Sequence, residues 1–414
     1  MAVMAANPKV AGLAAVRPRD AGPLATAHPL TVATERDLRL DLFRGVALWL
    51  IFLDHIPENI ANWFTIRNYG FSDATEIFIF ISGYTAAFVY GRTMRERGFL
   101  LSSARILRRA WQIYVAHIFL FTIFMAEIAY VAATFDNPLY AEEMKILDFL
   151  KQPDITIFQA LLLKFKPVNM DVLPLYIVLL LMFPPMLFLL LRAPNVALAG
   201  SAVVYALTWK LDWNLPAYPN GVWFFNPFAW QLLFVFGAWC ALGGSHRLAG
   251  FLRSRIVLAV AIAYLIFAFA ITLTWHFEAL DRFVPNWLAE WMYPIDKTNL
   301  DVLRFAHFLA LAVVTIRFIP RNWSGLKSAI LQPAIRCGQH SLEIFCLGVF
   351  LAFAGQFIIA ESSGGPLLQT AVSALGIIIM IATANLTSWY KAIEGRSPQS
   401  RVKSPDADLA GGEA

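Results

Sequence analysis

Apolar runs separated by short polar segments organise most of this chain. Ten of the runs are long enough to cross a hydrocarbon core about 30 Å thick as helices. They lie at about 42–60, 74–92, 107–134, 172–192, 195–211, 227–244, 255–275, 300–319, 330–360 and 366–390. The pattern predicts an all-α integral membrane protein with about ten transmembrane helices. The fifth run is the weakest span because it is short and contains Gly200, Ser201 and Thr208.

Polar tails flank the apolar region. Residues 1–34 and 392–414 combine small residues, prolines and charges, a composition typical of disordered segments. Residues 35–391 are predicted to form a single multi-spanning domain. An even number of spans places both tails on one side, and the tails with the loops on that side hold 24 of the 33 Lys and Arg residues. Basic residues mark the cytoplasmic side, so both termini are predicted to be cytoplasmic.

Composition narrows the classes of function. With 59% hydrophobic and 15% charged residues, the chain is not a soluble domain. The net charge of +5 does not indicate nucleic-acid binding, because the basic residues cluster at the ends of apolar runs. The cysteines Cys240, Cys337 and Cys346 have no CxxC spacing, so we expect no metal site.

The first apolar run contains the most informative pair of polar residues. His55 follows Arg44 by eleven positions, which is about 20° past three helical turns and about 16 Å of rise. The two side chains therefore share one helix face, and ionisable groups inside a membrane are often functional. A structural histidine bonded between helices is the alternative. Pro57 predicts a kink or a helix end just beyond His55.

The second run and the segment after it add further charges. Asp73 and Glu76 lie at the outer start of the second helix, ahead of Ser82 and Tyr84. Glu76 is interpreted either as a water-exposed carboxylate or as a partner of His55. Six arginines follow within eighteen residues: Arg92, Arg95, Arg97, Arg105, Arg108 and Arg109. Either these arginines only set the orientation of the chain in the membrane, or they form a cytoplasmic site for an anion such as phosphate.

Aromatic residues crowd the predicted outer side. The set comprises Trp209, Trp213, Trp223, Trp275, Trp287, Trp291 and Tyr293. They form either an interfacial aromatic belt or a platform on which sugar rings stack.

Three segments together resemble a known superfamily. Arg44-x10-His55, the segment from Glu76 to Tyr84 and ARILRRAWQIY at 104–114 are similar to the membrane-bound acyltransferase type 3 superfamily. Within it the chain resembles the OpgC family, associated with succinylation of osmoregulated periplasmic glucans. The resemblance is strongest over 36–115 and implies an acyltransferase-3-like fold in the bacterial inner membrane. It departs from the superfamily late in the chain, where Ser341 is followed by leucine and no later histidine occurs in that helix.

The resemblance assigns roles to Arg44, His55 and the arginines near the third helix, and the chemistry of the residues adds the other candidates. His55 would be the catalytic base, with Arg44, Asp73 and Glu76 as further catalytic candidates. Arg105 and Arg108, with the neighbouring Arg109, would face the phosphates of acyl-CoA. Ser82, Tyr84, Asp301, Arg304 and His307 are candidate substrate-binding residues. Arg304 would either meet the free carboxylate of a succinyl group or form an Asp–Arg tie between helices.

The resulting expectation is an O-acyltransferase that moves an acyl group, succinyl by resemblance, from cytoplasmic acyl-CoA to hydroxyls of a periplasmic glucan. The partners would be the lipid bilayer, the donor and the glucan, with no permanently bound cofactor. Acetyl transfer to another surface polysaccharide, a linear or cyclic acceptor, and direct or covalent transfer all stay open, as does the oligomeric state. A transporter or flippase is the rival class, but we find no internal repeat of the kind such folds often show.

Overall fold

The described residues are helical, with irregular connections. The computed structural model describes residues 37–57, 59–135, 142, 144–362 and 364–394, all within the unit that begins at Asp37. In this part of the chain there is no β-strand, and one isolated antiparallel bridge joins Pro216 and Val222. The predicted all-α class is therefore confirmed. The predicted tails lie outside the described residues, except that the last helix continues to Glu394.

Fifteen α-helices are present in the described residues. They are α1 (Leu38–Asp54), α2 (Ala74–Thr134), α3 (Leu147–Lys151), α4 (Pro153–Leu161), α5 (Val172–Arg192), α6 (Pro194–Leu211), α7 (Pro227–Trp239), α8 (Ser245–Arg247), α9 (Ala249–Arg253), α10 (Arg255–Thr274), α11 (Asn286–Met292), α12 (Val302–Phe318), α13 (Gln332–Gln339), α14 (Ser341–Ala360) and α15 (Pro366–Glu394). A π-helical turn, Cys240–Gly244, continues α7 into α8.

Six helical segments among the described residues are long and apolar enough to cross a membrane. They are α2, α5, the continuous segment Pro227–Arg247, α10, α14 and α15. The chain is therefore a multi-pass membrane protein. The count of about ten spans and the cytoplasmic termini stay predictions.

α2 consists of two helical arms that meet at Gly98. A straight helix of 61 residues would be about 90 Å long, three times the thickness of the hydrocarbon core. Gly98 instead has φ +83°, a left-handed conformation that glycine adopts without a Cβ clash. Arg105 donates to Thr93 Oγ1 at 2.8 Å, although twelve residues of straight helix would separate them by about 18 Å. The chain therefore turns back at Gly98, and the runs predicted at 74–92 and 107–134 lie on the two arms.

The predicted run at 330–360 is divided at His340. α13 ends at Gln339, α14 begins at Ser341, and His340 between them has φ −113° and ψ +41°. The His340 ring lies 2.7 Å from Ser388 Oγ and 3.2 Å from Lys391 Nζ, both on α15. The prediction of one continuous helix is wrong here, because the polar side chain at the break has its partners on another helix.

α1 ends where Pro57 predicts a helix end. The N–H of His55 donates to Ile51 O at 3.1 Å and to Phe52 O at 3.3 Å, and His55 is the C-cap residue. Two residues later, Pro57 has no N–H to continue the ladder. His55 therefore lies at the junction between α1 and the loop that leads to α2.

α2 and α7 cross at a pair of glycines. A Cβ built on Gly83 would overlap the carbonyl oxygen of Phe234, and one built on Gly237 would overlap the carbonyl oxygen of Phe80. Backbone atoms cannot rotate out of the way as a flexible side chain can. The two glycines therefore permit a close approach of apolar helices, as small residues do in membranes generally. This crossing fixes the position of the first arm of α2.

Replacing Gly83 with alanine should destabilise the protein, because the added methyl group meets a backbone carbonyl. We expect a loss of about 1–3 kcal/mol, read as a lower melting temperature of the detergent-solubilised protein. Gly200→Ala is the matched control, since a Cβ on Gly200 of α6 meets no atom within 4 Å. Equal melting temperatures of the Gly83 variant and the wild type would contradict this packing.

Candidate active site

The N-terminus of α2 carries two buried carboxylates. Asp73 is the N-cap residue and accepts from Thr75 N at 2.8 Å, while Glu76 accepts from Asp73 N at 2.9 Å. This reciprocal arrangement is a capping box, which an acid followed three residues later by glutamate favours. Both negative charges lie at the positive end of the helix dipole. Local sequence thus explains the orientation of both carboxylates.

Two cations from distant parts of the chain neutralise these carboxylates. The guanidinium of Arg304 on α12 lies 2.7 Å from Glu76 Oε1 and 3.1 Å from Asp73 Oδ2. Lys297 Nζ lies 2.5 Å from Asp73 Oδ2, and its side chain is 32% exposed compared with 11% for Arg304. We call Asp73, Glu76, Lys297 and Arg304 the outer charge cluster. Buried charges of this kind persist because each has an opposite charge beside it.

The cations also determine the ionisation of Asp73. Burial by itself would raise the pKa of this carboxyl group, but the charges of Lys297 and Arg304 hold its pKa well below the usual range. Hydrogen bonds from Lys297 and Thr75 act in the same direction. Asp73 is therefore a fixed negative charge at neutral pH.

His307 supports the segment that precedes α2. Its Nδ1 lies 2.7 Å from Ser72 Oγ and accepts from Ser72 N at 3.3 Å. Since Nδ1 accepts from this N–H, a neutral ring carries its proton on Nε2. Gly70 lies against the same ring, and a Cβ there would overlap Nε2. His307 is thus enclosed by backbone and positions the segment that leads to Asp73.

His55 lies close to the outer charge cluster. The charges of Lys297, Asp73 and Arg67 all act on it, and Arg67 pairs with the adjacent Asp54 at 3.3 Å. The Nδ1 atom of His55 is buried and has no hydrogen-bond partner among the described residues. The interpretation of Glu76 as its partner is not supported, because Glu76 pairs with Arg304.

Arg44 lines a separate cavity of about 130 Å³ between α1, both arms of α2, α5 and α14. The polar lining residues are Arg44, Ser82, Thr85, Tyr90, Arg109, Tyr176 and Ser341. None of the described residues that line the cavity is acidic. Two guanidinium groups line this cavity, and guanidinium forks bind anions such as phosphate.

The Arg44 end of the cavity and the outer charge cluster lie at different depths along α1 and α2. Arg44 donates to Thr85 Oγ1 at 2.8 Å and to Ile81 O at 3.2 Å, which brings the two helices together at the cavity. From Arg44 to His55 the rise along α1 is about 16 Å, and from Thr85 back to Glu76 it is about 14 Å. The rings of Phe78 and Phe345, 6.0 Å apart, also line the cavity. The two helices therefore carry one polar site near each end.

The structure divides the predicted site residues between these two places. His55, Asp73, Glu76, Arg304 and His307 lie at the outer end, whereas Arg44, Ser82 and Arg109 line the cavity. Three others belong to neither: Arg105 and Arg108 are exposed on the second arm of α2, and Tyr84 packs beside Gly237. Asp301 caps α12 by accepting from Leu303 N at 2.7 Å.

Arg304 forms an Asp–Arg tie between helices, one of the two alternatives for this residue. The acid of the tie is Asp73 at the start of α2, and Glu76 is a second partner. The guanidinium group of Arg304 already pairs with the carboxylates of Asp73 and Glu76. A succinyl carboxylate would therefore have to displace Asp73 or Glu76 from Arg304, which does not favour the substrate-binding role.

Lys297 is the main residue that sequence reasoning missed. It lies in the outer connection between the seventh and eighth predicted spans, where basic residues are scarce because the positive-inside rule disfavours them. A lysine on that side was therefore a usable signal. Ser72 and Thr85 gave no comparable signal, since hydroxyl residues are common at helix ends and in membrane helices.

The fold and these two polar sites define a multi-pass membrane protein that holds charged side chains in its interior. The family model described as OpgC protein matches residues 36–392, and the chain belongs to this family. The match spans nearly all of the described helices, and the resemblance to the OpgC family is confirmed. Neither the curated proteins nor the solved structures give a significant match.

Removing Arg304 should destabilise the protein strongly. Arg304→Gln leaves the buried Glu76 without its cation, for which we expect a loss of about 3–5 kcal/mol in thermal or denaturant unfolding. Arg317→Gln, at an exposed position on the same helix, is the control. Adding Glu76→Gln to Arg304→Gln should restore part of the stability. An Arg304 variant as stable as the Arg317 variant would show that the ion pairs do not hold α2 and α12 together.

Proposed function

We propose that this protein is an O-acyltransferase of the inner membrane that transfers a succinyl group from cytoplasmic acyl-CoA to a periplasmic glucan. Membership of the OpgC family supports a transferase acting on glucans. The observation that carries the assignment is the division of α1 into an anion-suited cavity at Arg44 and a histidine beside charged groups at His55. A donor that carries phosphates needs a site for an anion, and an acceptor hydroxyl needs a base beside it.

The dimensions of the donor are consistent with this division. From its diphosphate to its sulfur, coenzyme A has a pantetheine arm of about thirteen bonds, roughly 15 Å when extended. This length is close to the 14–16 Å rise that separates Arg44 from His55 on α1 and Thr85 from Glu76 on α2. With the diphosphate at Arg44 and Arg109, the thioester would reach the level of His55. The exposed Arg105 and Arg108 would then face the remaining phosphate.

The proposed reaction is acyl transfer with His55 as general base. Its imidazole takes the proton of a glucan hydroxyl, and the oxygen attacks the thioester carbonyl carbon. The carbon–sulfur bond then breaks, and the departing thiolate takes the proton back from His55, which leaves a glucan ester and free coenzyme A. Lys297 has a partly exposed ammonium group whose N–H groups could stabilise the oxyanion that forms on the carbonyl oxygen.

His55→Ala should abolish acylation of the glucan while the protein stays folded and inserted. Loss of a general base typically costs a hundredfold or more in rate. The measurement is mass spectrometry of glucans from cells that express each variant. His246→Ala, at an exposed histidine on α8, should leave acylation unchanged. A normal acyl content with the His55 variant would remove this residue from the catalytic role.

Arg109→Gln should raise the KM for acyl-CoA by about 10- to 100-fold, the value of a charge-assisted hydrogen bond to a phosphate. Steady-state kinetics on purified protein in lipid would measure it. Gln112→Ala serves as the control, because it removes the 3.4 Å hydrogen bond between Arg109 and Gln112 but keeps the guanidinium. An unchanged KM in Arg109→Gln would exclude the cavity as the donor site.

A further inference from the structure

Four half-exposed aromatic rings form a connected patch at the outer end of the molecule. Trp63, Tyr69, Trp275 and Tyr293 are between 40% and 46% exposed, and we call them the aromatic patch. Trp275 Nε1 donates to Tyr293 OH at 2.5 Å, and Tyr69 OH donates to Trp63 O at 2.5 Å. The Trp63 ring lies 4.5 Å from that of His276, the residue after Trp275. Two distant parts of the chain thus contribute to one surface.

The aromatic patch adjoins the candidate active site. Phe71 bridges them, with ring centroids 6.2 Å from Trp275 and 6.0 Å from His307. On the same loop, Arg67 pairs with Asp54, the residue before His55. The loop that carries Trp63 and Tyr69 is therefore tied directly to the end of α1 where His55 lies.

The patch differs from the neighbouring tryptophans that have the character of membrane anchors. Trp287 and Trp291 lie four residues apart on one face of α11 and are 69% and 70% exposed. A row of largely free indoles is typical of a lipid interface. The rings of the patch are about half covered, and hydrogen bonds within the patch occupy the indole N–H of Trp275 and the hydroxyl of Tyr69. The polar groups of Trp275 and Tyr69 therefore already have partners inside the patch.

Ring faces are the surfaces that sugars contact. The face of an aromatic ring is electron-rich, and one side of a pyranose ring presents C–H groups, so the two stack. The planar Arg67 and Asp54 pair at the border of the patch offers donors and acceptors for hydroxyl groups. The patch itself consists of aromatic rings, which suit the C–H face of a sugar ring.

We propose that the aromatic patch is the acceptor surface, on which consecutive glucose rings lie while one hydroxyl reaches His55. The inference rests on the proposed function, because it names the residues that hold the glucan in that reaction. It also separates two groups among the outer aromatic residues. Trp63, Tyr69, Trp275 and Tyr293 contact sugar, and Trp287 and Trp291 contact lipid.

The test measures sugar binding separately from acyl transfer. The full-length protein in lipid nanodiscs is mixed with a neutral gluco-oligosaccharide, and saturation-transfer NMR reports the contact of sugar C–H groups with protein. Trp63→Ala and Trp275→Ala should each weaken binding by roughly three- to tenfold. Trp287→Ala and Trp291→Ala are the matched controls and should bind as the wild type does. Trp63→Phe, which keeps a ring, should retain most of the binding.

Unchanged oligosaccharide binding in Trp63→Ala and Trp275→Ala would overturn the inference, as would an absence of binding to the wild type. An equal loss in Trp287→Ala would also overturn it, since the whole belt would then act alike. A second arm uses brominated lipids, which should quench Trp287 strongly and Trp275 weakly; equal quenching would identify the patch as a lipid anchor. If the wild type binds the oligosaccharide but transfers no acyl group to it, the proposed function fails and the sugar site stands.

Discussion

The pairing of Asp73 and Glu76 with Arg304 and Lys297 is the constraint on which the outer half of the structure depends. Neither sign of charge is stable alone when it is removed from water, so the first turn of α2 must stay beside α12 and the connection that carries Lys297. The same two carboxylates cap α2. One set of atoms therefore begins a helix, joins it to a second helix and places charges next to His55.

The two polar sites differ in charge, and the difference fits their proposed ligands. In the outer charge cluster, two carboxylates face two cations, so the formal charges of the cluster balance. The cavity has Arg44 and Arg109 and no lining carboxylate among the described residues. A phosphate-bearing donor matches the cavity, and a neutral sugar matches the outer end with its aromatic patch. A protein that transfers a group from a phosphate-bearing donor to a sugar needs two sites that differ in charge in this way.

Much of the fold could be predicted from hydrophobic runs, because a helix in lipid must be apolar over most of its length. The helix end at Pro57 and the capping box at Asp73 depend on neighbouring residues, so they could also be predicted from the sequence. The break at His340 was not, since its partners Ser388 and Lys391 lie on another helix. For the same reason the partners of Arg304 were missed: they lie more than two hundred residues away in the sequence. Long-range pairing leaves no local pattern.

Transfer of a labelled acyl group across a bilayer tests the proposed function most directly. The purified protein would be placed in vesicles that contain a periplasmic-type glucan, and succinyl-CoA labelled in the succinyl group would be added outside. We expect label to accumulate on the enclosed glucan when the turn of α2 at Gly98, with the arginines on either side of it, faces the donor. Folded protein in that orientation that leaves the glucan unlabelled and the succinyl-CoA intact would contradict the assignment of this chain as an acyltransferase.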